Sequence, residues 1–261
     1  SIVYDGGSHM IAAYSVASDE DFFVDAVSIT GSTTNTAAKA YGAEVSQSGE
    51  SAFLVKVAWG GGRGIVLFED STDSSYNFVR GIDNSGSAIE VGGVAELWGG
   101  DAVVDIGTMG QNNITYDSSA DNFVIAGVHT DADSDHMPVV CAVSTSGTGT
   151  SCNPTAGAMV KVLAAWEATH EKSYYSQVVA NDSVMYAIDG NHVGIHYDPD
   201  RDACLLLWRA NNLRGRLSSS YKGGFYRFGL MMASNVITLG GTGDRTCTAS
   251  NLKFHPVRNL H

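Results

Sequence analysis

Apolar and polar positions fall into blocks along the chain, and five of these blocks share one layout. Each consists of a short apolar run, a polar linker and a second apolar run, and the five begin at Ile11, Ile65, Val124, Val162 and Leu205. Their starts are 54, 59, 38 and 43 residues apart, a mean of about 48. Short apolar runs between polar turns indicate β-strands. A repeat of this length is typical of one four-stranded β-propeller blade.

A second pattern precedes four of the blocks. An apolar run ends in an aromatic residue and a turn, with the aromatics at Tyr4, Trp59, Tyr116 and Tyr197. The turn sequences contain Gly-Gly, Ser-Ala-Asp or Asp-Pro-Asp, which supply positive φ angles, side-chain-to-backbone turns and a preset φ. We therefore predict a β-hairpin at each of the four places.

The first of these hairpins contains a sequence that invites another interpretation. Residues 7–10 read Gly-Ser-His-Met, which expression vectors often leave behind after tag removal. The flanking residues are nevertheless in register with the sister hairpins. We therefore expect a native turn, with Tyr4 and Ile11 in adjacent paired strands.

The apolar runs themselves indicate how the sheets are buried. The sequences IVLF and LLLW are apolar at every position, which is typical of strands buried on both faces. Stacked blades provide such burial. We predict an all-β fold, a single β-propeller over 1–261 with five blades, and with four or six as alternatives. The expected repeat units are about 1–50, 51–105, 106–155, 156–182 and 183–261.

The two ends of the chain complement each other. Segment 248–261 resembles a strand that leads into a hairpin, but no hairpin follows it, and the hairpin at Tyr4 has no such strand before it. A C-terminal strand that joins the N-terminal blade would remove two exposed edges, so we expect the ring to close in this way. Segment 161–179 has a helix-forming composition, yet its charges fall where other units have their linker, and we predict strand, loop and strand.

Composition and charge exclude several classes of function. The net charge is −13, which repels phosphate backbones, so we expect no nucleic-acid partner. No apolar run approaches the roughly 18 residues of a membrane span, so we expect no membrane insertion. The four cysteines contain no CxxC pair. Cys141 and Cys152 either bridge a hairpin or remain buried free thiols.

Three short segments resemble a known repeat, and each is followed by a polar turn and an apolar strand. They read Ile-Val-Tyr-Asp, Ile-Thr-Tyr-Asp and Ile-His-Tyr-Asp. They look like the propeller repeats of tail-fibre and virion-surface proteins of bacteriophages and marine viruses, whose Val-Ser-Gly bend is matched at 27–31 and 143–147. Trp59-Gly60 and the fourth unit depart from the pattern. The resemblance implies a non-enzymatic binding or structural module on a virion or extracellular surface. Its implied partners are a cell-surface glycan or receptor and other virion proteins, with homo-oligomers left open.

Carboxylates at equivalent places in three hairpins suggest an alternative. Asp5, Asp117 and Asp198 each follow the hairpin tyrosine. Propeller-type glycoside hydrolases gather a carboxylate pair at the channel mouth, but an Asp that caps each turn would also recur with the fold. We favour the turn role, and thus a protein that is not an enzyme. A multivalent lectin with one sugar pocket per blade is a further alternative, although the unequal loops weaken it.

Candidate ligand-binding residues are aromatics and polar donors at strand ends or in loops. Each tryptophan also has core packing as the competing interpretation, and Trp98 is the one that we expect to be least buried. The candidates are Trp98, Trp208, Arg209, Asn211, Asn212 and Tyr221.

One loop offers oxygen ligands for a cation. Asp131, Asp133 and Asp135 alternate in a polar linker, as Ca²⁺ ligands do, but the Gly and distal Glu of an EF-hand are missing. We favour an acidic turn, keep Ca²⁺ as the alternative, and expect no other cofactor.

Overall fold

The computed structural model describes part of the chain in thirteen ranges: 1–16, 21–30, 36–46, 52–70, 76–98, 104–105, 113–130, 136–161, 188–200, 202–211, 222–233, 236–238 and 242–245. Within these ranges the fold is all-β, as predicted. Apart from a 3-10 turn at Gly149–Ser151, every helix or strand there is a β-strand.

The strands form four antiparallel sheets in which neighbours along the chain are mostly neighbours in the sheet. The first sheet contains β1 (Ile2–Tyr4), β2 (His9–Ser15), β3 (Phe22–Thr30) and β4 (Thr36–Glu44). The second contains β5 (Ala52–Gly60), β6 (Arg63–Asp70), β7 (Tyr76–Asn84) and β8 (Ile89–Glu96).

The third and fourth sheets carry extra short strands. The third contains β9 (Val104–Asp105), β10 (Ile114–Asp117), β11 (Asn122–Thr130), β12 (His136–Ser146), β13 (Asn153–Ala156) and β14 (Val160–Lys161). The fourth contains β15 (Ile188–Asp198), β16 (Ala203–Asn211), β17 (Lys222–Ala233), β18 (Val236–Thr238) and β19 (Thr242–Arg245). β9 pairs with β11, so 104–105 joins the third sheet although the sequence grouped it with the second unit.

The first hairpin forms as expected. Tyr4 pairs with Met10 and Val3 pairs with Ile11, so the turn that contains Gly7 and Ser8 is part of the fold. The second strand begins at His9, two residues earlier than the apolar run suggested. The prediction of a native turn with paired flanks is confirmed.

The sheets stack face to face in chain order, and the central strands divide their side chains between two interfaces. In β6, Val66 and Phe68 pack with the first sheet, whereas Ile65 and Leu67 pack with the third. Successive residues of a strand point to opposite faces, so one fully apolar strand serves two neighbours. The prediction that IVLF is buried on both faces is confirmed, since all four side chains are fully buried.

The third and fourth sheets also contact each other directly. Val124 and Ala126 of β11 share an apolar cluster with Val193 and Ile195 of β15. The expected strand–loop–strand at 161–179 lies almost wholly outside the described residues.

Glycines allow the second and third sheets to approach closely. A Cβ on Gly81 or Gly92 would lie 2.0 Å from the carbonyl oxygen of Cys152. That same oxygen accepts a hydrogen bond of 3.1 Å from the backbone N–H of Gly93. The absence of side chains at Gly81 and Gly92 therefore lets the backbone of the third sheet lie against the second.

We expect Gly81→Ala to lower the free energy of unfolding by about 2–3 kcal/mol, because the new methyl group must displace backbone rather than a flexible side chain. Gly7→Ala is the matched control, since its Cβ would lie 3.4 Å from the nearest atom, an ordinary contact. Urea denaturation measures both. Equal stability of the two variants would contradict the close approach.

The described cysteines, Cys141, Cys152 and Cys204, are buried free thiols, so the disulfide alternative is not realised between Cys141 and Cys152. Burial raises the pKa of Cys141 to about 12, and it also raises the pKa values of Cys152 and Cys204. The thiolate is the reactive form. These thiols are therefore protected from reagents, because they are buried and because they stay protonated.

In a Cys247→Ser background, which removes the one cysteine outside the described residues, we expect no native thiol to react with a disulfide reagent at pH 8. All three should react after unfolding in guanidinium. Rapid labelling of the native protein, read by mass spectrometry, would contradict the burial of these thiols.

Candidate functional site

The turns of four hairpins gather at one end of the stacked sheets, which we call the turn face. It comprises 5–8 in the first sheet, 61–62 in the second, 118–121 in the third, and 199–200 with 202 in the fourth. The φ angles in these turns are those of left-handed backbone, for example +60° and +80° at Gly61 and Gly62. Such angles suit glycine in a two-residue hairpin turn.

The recurring aspartates close these turns. Asp5 Oδ1 accepts the backbone N–H groups of Gly7 (2.8 Å) and His9 (3.1 Å). Asp117 Oδ1 accepts those of Ser119 (2.9 Å) and Ala120 (3.1 Å).

Asp198 repeats the arrangement, since its Oδ1 accepts the N–H of Asp200 at 3.0 Å. Asp117 and Asp198 are each 2% exposed. The predicted turn role of the three aspartates is therefore realised.

The tyrosine that precedes each aspartate fixes the far side of its turn. Tyr4 donates to the carbonyl of Gly7 at 2.6 Å. Tyr116 and Tyr197 donate to the carboxylates of Asp121 (2.6 Å) and Asp202 (3.0 Å). The Tyr-Asp pair thus stabilises its turn through hydrogen bonds of both side chains.

These contacts shift the pKa values of Tyr116 and Asp121. Burial, followed by the bond to Asp121, raises the pKa of Tyr116 well above its usual range. The hydrogen bond from Tyr116 lowers the pKa of Asp121, with Arg63 adding to the effect. The carboxylate is therefore anionic and the phenol neutral around pH 7.

Bonds between hairpins tie neighbouring sheets together. Arg63 of the second hairpin donates to Asp121 Oδ2 of the third at 2.8 Å and also to the hydroxyl of Thr145. Ser119 of the third hairpin donates to Asp202 of the fourth at 3.0 Å.

The departure of Trp59-Gly60 from the Tyr-Asp pattern has a packing reason. A Cβ on Gly60 would lie 2.0 Å from the ring of Tyr116. The second hairpin therefore needs glycine where its sisters carry aspartate.

The turn of the first hairpin is hydrogen-bonded to the second sheet at the turn face. Asn84, at the end of β7 next to the Arg63 hairpin, donates to Asp5 Oδ2 at 3.0 Å. Tyr41 of β4 donates to Asn84 Oδ1 at 2.5 Å. The turn face thus carries hydrogen bonds between neighbouring sheets, and the carboxylates of Asp5, Asp121 and Asp202 take part in them.

The predicted ligand residues that the structure describes lie toward the opposite end of the sheets, which we call the far end. It is where Trp98 follows β8, Thr130 ends β11 and Asn211 ends β16. Trp208, Arg209 and Asn211 lie in β16, opposite Phe225, Gly224 and Lys222. Their side chains, and all of Asn212 and Tyr221, lie outside the described part of the structure.

The expectation that Trp98 is the least buried tryptophan is not supported. Trp98 is 7% exposed and packs with Leu97 and Ile114 between the second and third sheets. Its φ is +65°, which turns the chain after β8 so that the ring folds into the core. A ring buried in this way offers no free face for a sugar to stack on.

The described residues offer no metal site. No three His, Cys, Asp or Glu side chains among them come together as ligands. Asp131, Asp133 and Asp135 lie outside the described residues, so Ca²⁺ binding there stays a prediction. The same part of the chain has no helix long and apolar enough to cross a bilayer.

Two residues that the sequence analysis did not select form a buried polar contact. Lys56 of β5 donates to Asn113, just before β10. The available signal was a lysine in the otherwise apolar run AFLVKVAW.

Comparison with known proteins gives no family assignment. No family model matches the chain, and a search of the curated proteins finds no significant match. The resemblance to virion-surface propeller repeats therefore rests on the sequence motifs alone.

We expect Asp117→Ala to lower the free energy of unfolding by about 2–3 kcal/mol, because two backbone N–H groups lose a charged acceptor. Asp117→Asn keeps an oxygen at that position and should lose less than about 1 kcal/mol. Urea denaturation of the two variants tests the turn role. An alanine variant as stable as the wild type would show that the carboxylate is not a structural group.

Proposed function

We propose that the protein is a β-propeller that acts as a non-enzymatic binding or structural module on the surface of a virion or cell, with a cell-surface glycan or receptor as its ligand. The observation that carries the proposal is the sequential face-to-face stacking of four antiparallel sheets. Other virion proteins are the proposed assembly partners, and homo-oligomers remain compatible with it.

The contacts between the sheets bear on the proposed number of blades. The sequence led us to expect five, with 156–182 as the fourth. The direct contact between Val124 and Val193 in the cluster shared by the third and fourth sheets argues against a blade between them. We therefore favour four blades, one of the two alternatives to five.

An exposed apolar surface supports the closure of the ring. On the first sheet, Ile2, Tyr4 and Tyr14 are 60%, 54% and 39% exposed. They lie on the face opposite Ile11 and Ala13, which pack against the second sheet. In a closed propeller the last blade covers such a face. Segment 248–261, which we expect to join the first blade, lies outside the described residues.

The geometry favours binding over catalysis. A glycosidase needs two carboxyls that face a common substrate, one of them protonated as the acid. Asp5, Asp117 and Asp198 instead accept backbone N–H groups within their own turns. A lectin with one identical pocket per blade also fits poorly, because Gly61-Gly62 is a two-residue turn where the others have four residues.

A glycan array screened with the wild-type protein tests the proposal, and the far end is where we expect the ligand. Arg209→Ala should weaken binding at least about tenfold, the effect of one lost hydrogen bond to a charged donor. Arg63→Ala on the turn face is the matched control and should bind as the wild type does.

Two results would contradict the proposal. One is an array without any bound sugar, together with the absence of the protein from virions and cell surfaces by composition analysis. The other is the release of shorter products from oligosaccharides, which would favour the glycoside hydrolase instead.

A further inference from the structure

A buried lysine and a buried asparagine meet at the interface of the second and third sheets. Lys56 is 4% exposed and Asn113 is fully buried. The Nζ atom of Lys56 donates to Oδ1 of Asn113 at 2.5 Å. The two residues are 57 positions apart, so the contact joins two sheets.

The amide group of Asn113 is held in place but is only half satisfied. Its backbone carbonyl accepts the N–H of Ala126 at 2.8 Å, which fixes the residue at the edge of β10. Its side-chain Nδ2 is buried and has no hydrogen-bond partner in the described structure. An unsatisfied buried donor destabilises the folded state.

Several side chains around the pair are apolar. Lys56 stands opposite Leu67, and the cluster at this interface contains Ala58, Ile65 and Ile114. Removing an amine-bearing side chain from water into such a site carries a cost that a pair of apolar side chains would avoid.

We propose that Lys56 and Asn113 form an intramolecular isopeptide bond. The Nζ atom attacks Cγ of Asn113, a C–N amide bond forms and the bond from Cγ to Nδ2 breaks. Two protons leave Nζ and two are gained by Nδ2, which departs as ammonium. No oxidant or reductant is needed, and the product is one secondary amide.

The geometry suits this reaction. Because Cγ is one C=O bond from Oδ1, Nζ lies within about 3.7 Å of Cγ, and reactive contacts need about 3–3.5 Å. The neutral amine is the nucleophile, so a proton leaves Nζ before the attack. Burial of both side chains excludes the water that would compete for Cγ.

A carboxylate on the same face is suited to transfer the proton. Glu69 lies two residues beyond Leu67 on β6, so its side chain leaves the sheet on the side of Lys56. It is half-buried. Glu69 would take the proton from Nζ and return it to the departing Nδ2, which is ordinary general base and acid chemistry.

The reaction removes the unsatisfied donor. The nitrogen of Lys56 becomes a neutral amide nitrogen, and the unpartnered Nδ2 of Asn113 leaves the protein. The product is a covalent link between the second and third sheets that does not depend on the packing around it.

Intact mass spectrometry of the denatured full chain tests the proposal. The wild type should be lighter than its sequence mass by one ammonia, and a protease digest should contain a branched peptide that joins Lys56 to Asn113. Lys56→Met and Asn113→Ala should each retain the full mass and lack that peptide. Lys39→Met is the control and should keep the loss, since Lys39 is an exposed partner of Asp25.

The controls separate this bond from other losses of ammonia. A cyclic imide at an asparagine has the same mass loss but would persist in Lys56→Met and yield no branched peptide, and that result would overturn the proposal. A wild-type chain at its full sequence mass would overturn it as well. Glu69→Gln should raise the unlinked fraction at least tenfold, and an unchanged fraction would contradict its role in proton transfer.

Discussion

The structure depends on the division of single strands between two interfaces. In β6 and β11, successive side chains enter different apolar clusters, so each strand supports a sheet on either side. Both faces of the central sheets are therefore largely apolar. Backbone polar groups pair within the sheets, and the charged side chains of Lys56 and Arg80 that do enter the interfaces are hydrogen-bonded there.

The turn face shows how such a stack is held in register. Each Tyr-Asp pair first organises its own hairpin, because the aspartate and tyrosine side chains bond within the turn. The remaining oxygens of these turns then reach the next sheet, as Asp121 does to Arg63 and Asp202 does to Ser119. The hairpin turns therefore also connect neighbouring sheets. This structural role explains why the Tyr-Asp pair recurs without a catalytic function.

The sequence predicted those features that depend on residues close together in the chain. Turn residues and the alternation of strands sufficed for the all-β class, for the hairpin at Tyr4 and for the capping role of Asp117, because each depends on neighbours in the chain. Burial on both faces was also readable, since β6 is apolar at consecutive positions.

Contacts between sheets could not be predicted in the same way. Whether the third sheet touches the fourth directly depends on the order of stacking, and the length of 156–182 suggested an additional blade. The burial of Trp98 depends on a left-handed φ at a residue that is not glycine. The pairing of Lys56 with Asn113 joins positions that no local pattern connects.

Two buried cations on the second sheet illustrate why the identity of a side chain matters at such interfaces. Arg80 faces the first sheet, donates to the carbonyl of Val45 at 2.8 Å and lies over the ring of Phe68. A guanidinium stays protonated in proteins, so Arg80 can serve only as a donor and a cation.

Lys56 faces the third sheet, and an amine is able to lose its proton and become a nucleophile. Its acceptor is an amide whose nitrogen has no other use in the described structure. Burial is thus compatible with the permanent charge of Arg80 on the side of the first sheet. It is also compatible with the proposed reaction of Lys56 on the side of the third sheet. The difference lies in the chemistry of the two side chains, since the depth of burial is nearly the same.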